Sequence, residues 1–254
     1  MVGWPFGRRR ARQEVARASA SVPAGTTVYA IGDIHGRLDL LDDLEAMIVR
    51  HAARHPSGRR VLVFVGDYID RGYESRRVLD RLIAGPPAGF ERVCLRGNHE
   101  DFLLQFLTDG RDAAMWLANG GRETLMSYGV AVPPGGRLDV EALRVELAEA
   151  IPARHLAFLE SLGLMHYEGD YVFVHAGVRP GVPLGEQDAH DLMWIRDTFL
   201  DANDDWGRVV VHGHTPTPAP QVRANRIGID TGAYATGRLT CLVLAGSGHE
   251  FLQT

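Results

Sequence analysis

An apolar run, Val61-Leu62-Val63-Phe64-Val65, stops at Gly66-Asp67-Tyr68-Ile69-Asp70-Arg71-Gly72. The run reads as a buried parallel strand. A strand that ends in Gly-Asp sets a carboxylate at the carboxyl edge of a sheet, where open α/β folds place their ligands. Gly66 has no side chain, so backbone or an ion can come close there. Asp70-Arg71 adds a second acid and a guanidinium. Alone, these letters also fit a strand-to-helix turn with a surface ion pair. Two more strand ends narrow the choice. Thr27-Val28-Tyr29-Ala30-Ile31 runs into Gly32-Asp33-Ile34-His35-Gly36, and Arg92-Val93-Cys94-Leu95 runs into Arg96-Gly97-Asn98-His99-Glu100. Leu38, Leu41, Leu44 and Ile48 recur at helical spacing between the first two strands, and residues 74–84 fit a helix before the third. The sum is a βαβαβ unit with right-handed crossovers.

From about 101 to 163 the pattern is mostly helical, interrupted at Pro133-Pro134-Gly135-Gly136, and is expected to pack over one side of the strand ends. Strands resume at 164–167, 171–174, 209–211, 227–229 and 239–244. At 254 residues and 45% hydrophobic, the chain suits one sizeable α/β domain over residues 26–254. No apolar run approaches the roughly 18 residues of a membrane helix, and no signal-peptide core is apparent, so a soluble, cytoplasmic protein is expected. Cys94 and Cys241 both lie in apolar runs and read as buried thiols. The net charge is −5, yet residues 1–25 carry five arginines against Glu14, so the acidic excess falls on the rest. Such a body is a poor binder of phosphate backbones, and nucleic acid is not an expected partner. The Arg-rich first 25 residues are expected to form a flexible arm.

Asp33, His35, Asp67, Asn98, His175 and His214 all fall at predicted strand ends. Oxygen and imidazole donors without thiolate suit borderline dications such as Mn, Fe, Co or Zn. His212 is expected to point away from this set by strand alternation. Trp194 reads as a core or pocket-wall aromatic.

The three strand-end motifs resemble those of the calcineurin-like metallophosphoesterases, and more narrowly the phosphoprotein phosphatase branch. His175-Ala176-Gly177, Trp194-Ile195-Arg196, Gly213-His214-Thr215-Pro216 and Ile229-Asp230-Thr231-Gly232-Ala233 resemble later motifs of its small bacterial and phage members. Trp116-Leu117-Ala118-Asn119-Gly120-Gly121 is similar to a segment of the phage lambda phosphatase. The resemblance implies an α/β fold: a β-sandwich flanked by helices in four layers, α/β/β/α, with the helical insertion. It implies two divalent ions, most simply Mn²⁺, with Asp33, His35 and Asp67 at one, and Asp67, Asn98, His175 and His214 at the other. A hydroxide generated between them would be the nucleophile. Arg71 and Arg196 would grip phosphate, and His99, oriented by Asp70, would protonate the leaving oxygen. Arg96 and Glu100 would support the ligands, and Asp230 would orient a histidine. The implied activity is metal-dependent hydrolysis of phosphomonoesters, foremost in phosphoserine or phosphothreonine proteins or peptides. Symmetrical dinucleoside tetraphosphate hydrolysis, action on small phosphoesters, and a non-catalytic scaffold on the same fold are the alternatives.

Overall fold

Alternation along the strands dictates the layering. In β1 (Thr26–Ile31), Val28 and Ala30 face one way and Tyr29 and Ile31 the other. In β2 (Arg59–Phe64) and just beyond, Val61, Val63 and Val65 join the first set, Leu62 and Phe64 the second. A strand apolar on both faces must be covered twice. The computed structural model describes residues 20–133 and 139–254 and shows how this is done.

Among the described residues, β1, β2 and β3 (Glu91–Cys94) run parallel, and two antiparallel strands, β9 (Thr240–Ala245) and β10 (Gly248–Gln253), extend the sheet to the order β10-β9-β1-β2-β3. The second sheet has the order β4-β5-β6-β8-β7, built from Met165–Glu168, Tyr171–Val174, Val209–His212, Arg226–Gly228 and Gln221–Val222. Its three inner strands β5, β6 and β8 are parallel. Between the sheets, Val28, Val61, Val63 and Leu242 meet Phe173, Val211 and Ile229.

The outer face of the first sheet packs on α1 (Leu38–Arg54), through Leu41, Leu44 and Ile48, and on α2 (Ser75–Ile83), through Val78 and Leu79. The helical segment shares this core: α3 (Asn98–Asp109), α4 (Ala113–Trp116), α5 (Arg122–Ser127), α6 (Val140–Ala150) and α7 (Ala153–Glu160) contribute Phe106, Trp116, Leu125, Leu147 and Leu159. A single π-turn, Leu117–Gly121, joins α4 to α5. The outer face of the second sheet is covered by α8 (Ala189–Trp194) and α9 (Asp197–Leu200), with Leu192 and Phe199 on Val172, Val174 and Val210. A last turn, α10 (Ala233–Thr236), follows the strand-end motif at Asp230. No helix among the described residues is long and apolar enough to cross a membrane.

Two expectations need correction. Residues 1–19 of the expected arm lie outside the described residues, but residues 20–25 belong to the packed body. Val22 is 4% exposed within the inter-sheet core, its N–H donates to Gly246 O at 3.0 Å, and the Ser21 N–H donates to Asp170 Oδ2 at 2.9 Å. The sequence reading also missed β7, β10, α8, α9 and α10, each short or polar.

Candidate active site

The carboxyl ends of β1, β2, β3, β5 and β6 converge and deliver the expected ligands, Asp33 and His35 after β1 and one each, Asp67, Asn98, His175 and His214, after the others. Asp67 is the centre. Its Oδ2 lies 3.5 Å from His35 Nε2 and 3.8 Å from His99 Nε2, while its Oδ1 lies 3.4 Å from His175 Nε2. Asn98 Oδ1 stands 2.9 Å from His175 Nε2 and 2.8 Å from His214 Nδ1. The donor atoms therefore form two clusters, one around His35, Asp67 and His99 and one around Asp67, His175 and His214, with Asp67 common to both. His99, expected as an acid, thus stands at the edge of the first cluster.

Backbone carbonyls set the imidazoles. His35 Nδ1–H donates to Ile69 O at 2.8 Å and His175 Nδ1–H to Val65 O at 3.0 Å, which leaves both Nε2 lone pairs facing Asp67. Asp33 is 2% exposed, and its Oδ2 accepts the His214 N–H at 2.9 Å. Asp33 Oδ1 and His214 Nε2 are buried and have no hydrogen-bond partner among the described residues.

This arrangement fits divalent ions. Buried polar atoms are ordinarily paired, and a bare Asp33 oxygen beside a crowd of carboxylates is a demand for positive charge. Burial, then Asp230 and Asp67, push the Asp33 carboxyl well above its usual range. Asp230 is pushed up to about 6, chiefly by burial. Burial keeps His35 and His175 low and His214 at about 2, so these rings are neutral and able to donate lone pairs.

The backbone is bent to make the cluster. Among the described residues six non-glycine positions have positive φ, and five of them are His35, Asp67, Asp70, Arg71 and His214. Such conformations cost about 1–3 kcal/mol each and persist where surroundings enforce them. Gly66 relieves one crossing: a Cβ there would lie 2.7 Å from Gly97 N and 2.8 Å from His175 Nδ1. Glu100 braces the turn by accepting the N–H groups of Asp67, Tyr68 and Gly97 at 2.8–2.9 Å.

The His99–Asp70 pair is formed, with Nδ1–H donating to Oδ2 at 2.6 Å. Asp70 is fully buried, and Trp116 Nε1–H and Thr124 Oγ1–H donate to its two oxygens at 2.9 and 2.6 Å. Burial would lower His99, but Asp67 and Asp70 leave it above the ordinary imidazole value. Arg71 extends Nη1 to His35 Nε2 at 2.7 Å and Nη2 to His99 Nε2 at 3.2 Å, so this guanidinium and a cation would compete for one lone pair. Arg196 lies at the rim, donating to His214 O and Thr215 Oγ1 at 3.3 Å.

Several expectations resolve differently. Asp230 faces Asp33 and accepts the Gly232 N–H at 2.8 Å instead of orienting a histidine. Arg96 Nη2 reaches the Leu159 and Glu160 carbonyls and so ties down α7, away from the ligands. As expected, His212 points away from the ligands, edge-on to Phe199, and Trp194 packs edge-on to Phe102 as a wall aromatic. Reasoning from sequence missed Thr124, and it missed Tyr234, which is 41% exposed with the Arg71 guanidinium 4.5 Å from its ring centre. Trp116 lay in a segment already singled out, but its bond to Asp70 could not be read from it.

The calcineurin-like phosphoesterase model matches residues 26–243. A relative named bis(5'-nucleosyl)-tetraphosphatase PrpE [asymmetrical], from Halalkalibacterium halodurans, is 31% identical over 84% of this chain and 87% of its own. Among solved structures, a cold-active protein-tyrosine phosphatase of a psychrophile Shewanella species superimposes with a TM-score of 0.53 at 17% identity, covering 92% of this chain and 83% of that one. A protein serine/threonine phosphatase from Saccharomyces cerevisiae does so with a TM-score of 0.52 at 16% identity, covering 90% and 79%. At such identities these two structures speak to the fold alone.

Proposed function

From the premise that this chain belongs to the calcineurin-like phosphoesterase family, we propose that it is a metal-dependent hydrolase of dinucleoside tetraphosphates, cleaving them asymmetrically into a nucleoside triphosphate and a monophosphate. One observation carries the choice of substrate: the 31%-identical relative, matched over most of both chains, bears that name. The same name argues against symmetrical cleavage.

The residues supply what such a reaction needs. Asp67, with one oxygen toward each cluster, would hold two ions together with Asp33, His35, Asn98, His175 and His214. When bound, the ions would offset phosphate charge and lower the pKa of water; Mn²⁺ is the ion to try first. Arg71 and Arg196 would take phosphoryl oxygens, each guanidinium offering paired N–H groups to a tetrahedral dianion. A phosphate that draws Arg71 outward would free the His99 Nε2 lone pair to take up a proton from water, and His99, its Nδ1–H fixed by Asp70, would then give that Nε2 proton to the departing oxygen.

That dyad also favours a second reading, hydrolysis of phosphoserine or phosphothreonine. A serine alkoxide leaves poorly without a proton, whereas a nucleotide phosphate carries its own charge, so a well-built acid is worth more to the former. The test is a direct comparison with Mn²⁺: diadenosine tetraphosphate against phosphoserine, phosphothreonine and phosphotyrosine peptides, products separated by chromatography. ATP with AMP, at a kcat/KM at least about tenfold above the peptides, is expected. Two ADP molecules, or faster phosphate release from a peptide, would overturn the tetraphosphate reading.

A further inference from the structure

A polar cavity of about 210 Å³ lies between the end of α9, strand β6 and the β7–β8 hairpin. Thr215, Arg223 and Arg226 line it, with Asp201 and His212. Arg226 is 3% exposed, yet its guanidinium meets only neutral acceptors: Leu200 O at 3.1 Å, Gln221 Oε1 at 3.3 Å and His212 Nε2 at 3.3 Å. Among the described residues no carboxylate lies within ion-pair distance of it. Buried charges are ordinarily paired. Burial and Arg223 both lower the Arg226 pKa, and Asp201 opposes them from farther off. Two arginines against one aspartate leave the cavity positive in a chain of net charge −5.

Its position relates it to the catalytic edge. Arg196 precedes α9 and Leu200 ends it, so one helical turn, about 5.4 Å, separates the rim arginine from the carbonyl that Arg226 grips. Thr215 belongs to both places, accepting from Arg196 and lining the cavity. If Arg226 were only a clamp between Leu200 and the hairpin, a neutral donor would serve, and the second guanidinium at the same opening would have no purpose.

We propose that this cavity is an anion subsite for phosphate groups of the substrate's polyphosphate chain that lie beyond the scissile bond. The inference rests on the tetraphosphate reading for its ligand, but the positive pocket can be tested without it. Arg223 is exposed, so its replacement should leave the fold intact, which a thermal melt checks. The probe is inorganic tripolyphosphate, titrated calorimetrically into the metal-free full chain. Arg223→Gln should weaken binding by about tenfold, the worth of one charge-assisted contact, and Arg223→Glu should weaken it further. With Mn²⁺, KM for diadenosine tetraphosphate should rise about tenfold more than KM for p-nitrophenyl phosphate, which has no second phosphate to place. Equal tripolyphosphate affinity in all three proteins, or equal KM changes on the two substrates, would overturn the subsite. A graded loss of tripolyphosphate binding in a protein that leaves diadenosine tetraphosphate intact would keep the subsite and reject the tetraphosphate reading.

Discussion

Each oxygen of Asp67 faces a different histidine, and around that one carboxylate the neighbouring side chains divide into holders of cations and handlers of phosphate. Arg71 sits on the boundary, because its Nη1 occupies the His35 lone pair that a dication would use. A guanidinium about 4 Å from a dication costs roughly 8 kcal/mol at an effective dielectric of about 20, most of which the guanidinium can escape by swinging out. Arg71→Met should therefore bind Mn²⁺ about tenfold more tightly by calorimetry while losing kcat; weaker binding would show that Arg71 supports the metal site. His99 is tested by leaving group. In His99→Asn, kcat on a phosphoserine peptide should fall about 10²–10⁴, the usual worth of general-acid catalysis. The fall on p-nitrophenyl phosphate should be clearly smaller, since nitrophenolate leaves unaided. Equal losses would mean that His99 places phosphate or metal.

Among the elements, the π-turn does more than connect helices. It aims Trp116 at Asp70 and sets Gly120, where any side chain would strike the backbone of Arg71, against the phosphate-handling loop. Trp116→Phe keeps the packing and loses one donor to a buried carboxylate, so kcat on the phosphoserine peptide should drop about fivefold to tenfold with Mn²⁺ binding unchanged. A parallel loss of metal would place Trp116 in the structural core only. Farther out, α2 and α7 are tied by a chain of hydrogen bonds: Tyr128 O–H donates to His155 Nδ1 at 2.8 Å, and Nε2–H donates to Asp80 at 2.9 Å. Burial lowers the His155 pKa below its unfolded value near 6.5, although Asp80 resists. The folded state thus takes up fewer protons than the unfolded chain, and stability falls as pH drops through about 6.5 toward the folded value. Between pH 7.5 and 5.5 the urea midpoint should fall less in His155→Gln than in the parent; an equal fall would remove His155 from the pH response. These elements also show what a sequence can and cannot disclose. The three parallel strands and their motifs were legible because buried strands are apolar on both faces and their ends bear chemistry. The edge strand β10, with His249 and Glu250 exposed, carries no such signature, and the bonds of Trp116 and Thr124 to Asp70 join residues 46 and 54 positions apart.

For the molecule as a whole, Ala20–Gly25 behave as a clasp: Val22 joins the β9–β10 turn of one sheet, and Ser21 the β4–β5 turn of the other. Removing residues 1–19 should leave turnover of p-nitrophenyl phosphate within about threefold, roughly 0.6 kcal/mol. Removing residues 1–25 takes away Val22 and its burial between the sheets, worth about 1.5–3 kcal/mol, and should lower the melting temperature by about 5–10 °C. A melting temperature unmoved by the longer deletion would contradict the clasp. Both turns that it joins lie at the amino ends of β1 and β5, opposite the strand ends that carry Asp33 and His175. A tether, affinity tag or solid support joined ahead of Ala20 is therefore anchored at the pole remote from catalysis, and an immobilised enzyme attached this way presents its open edge to the solution.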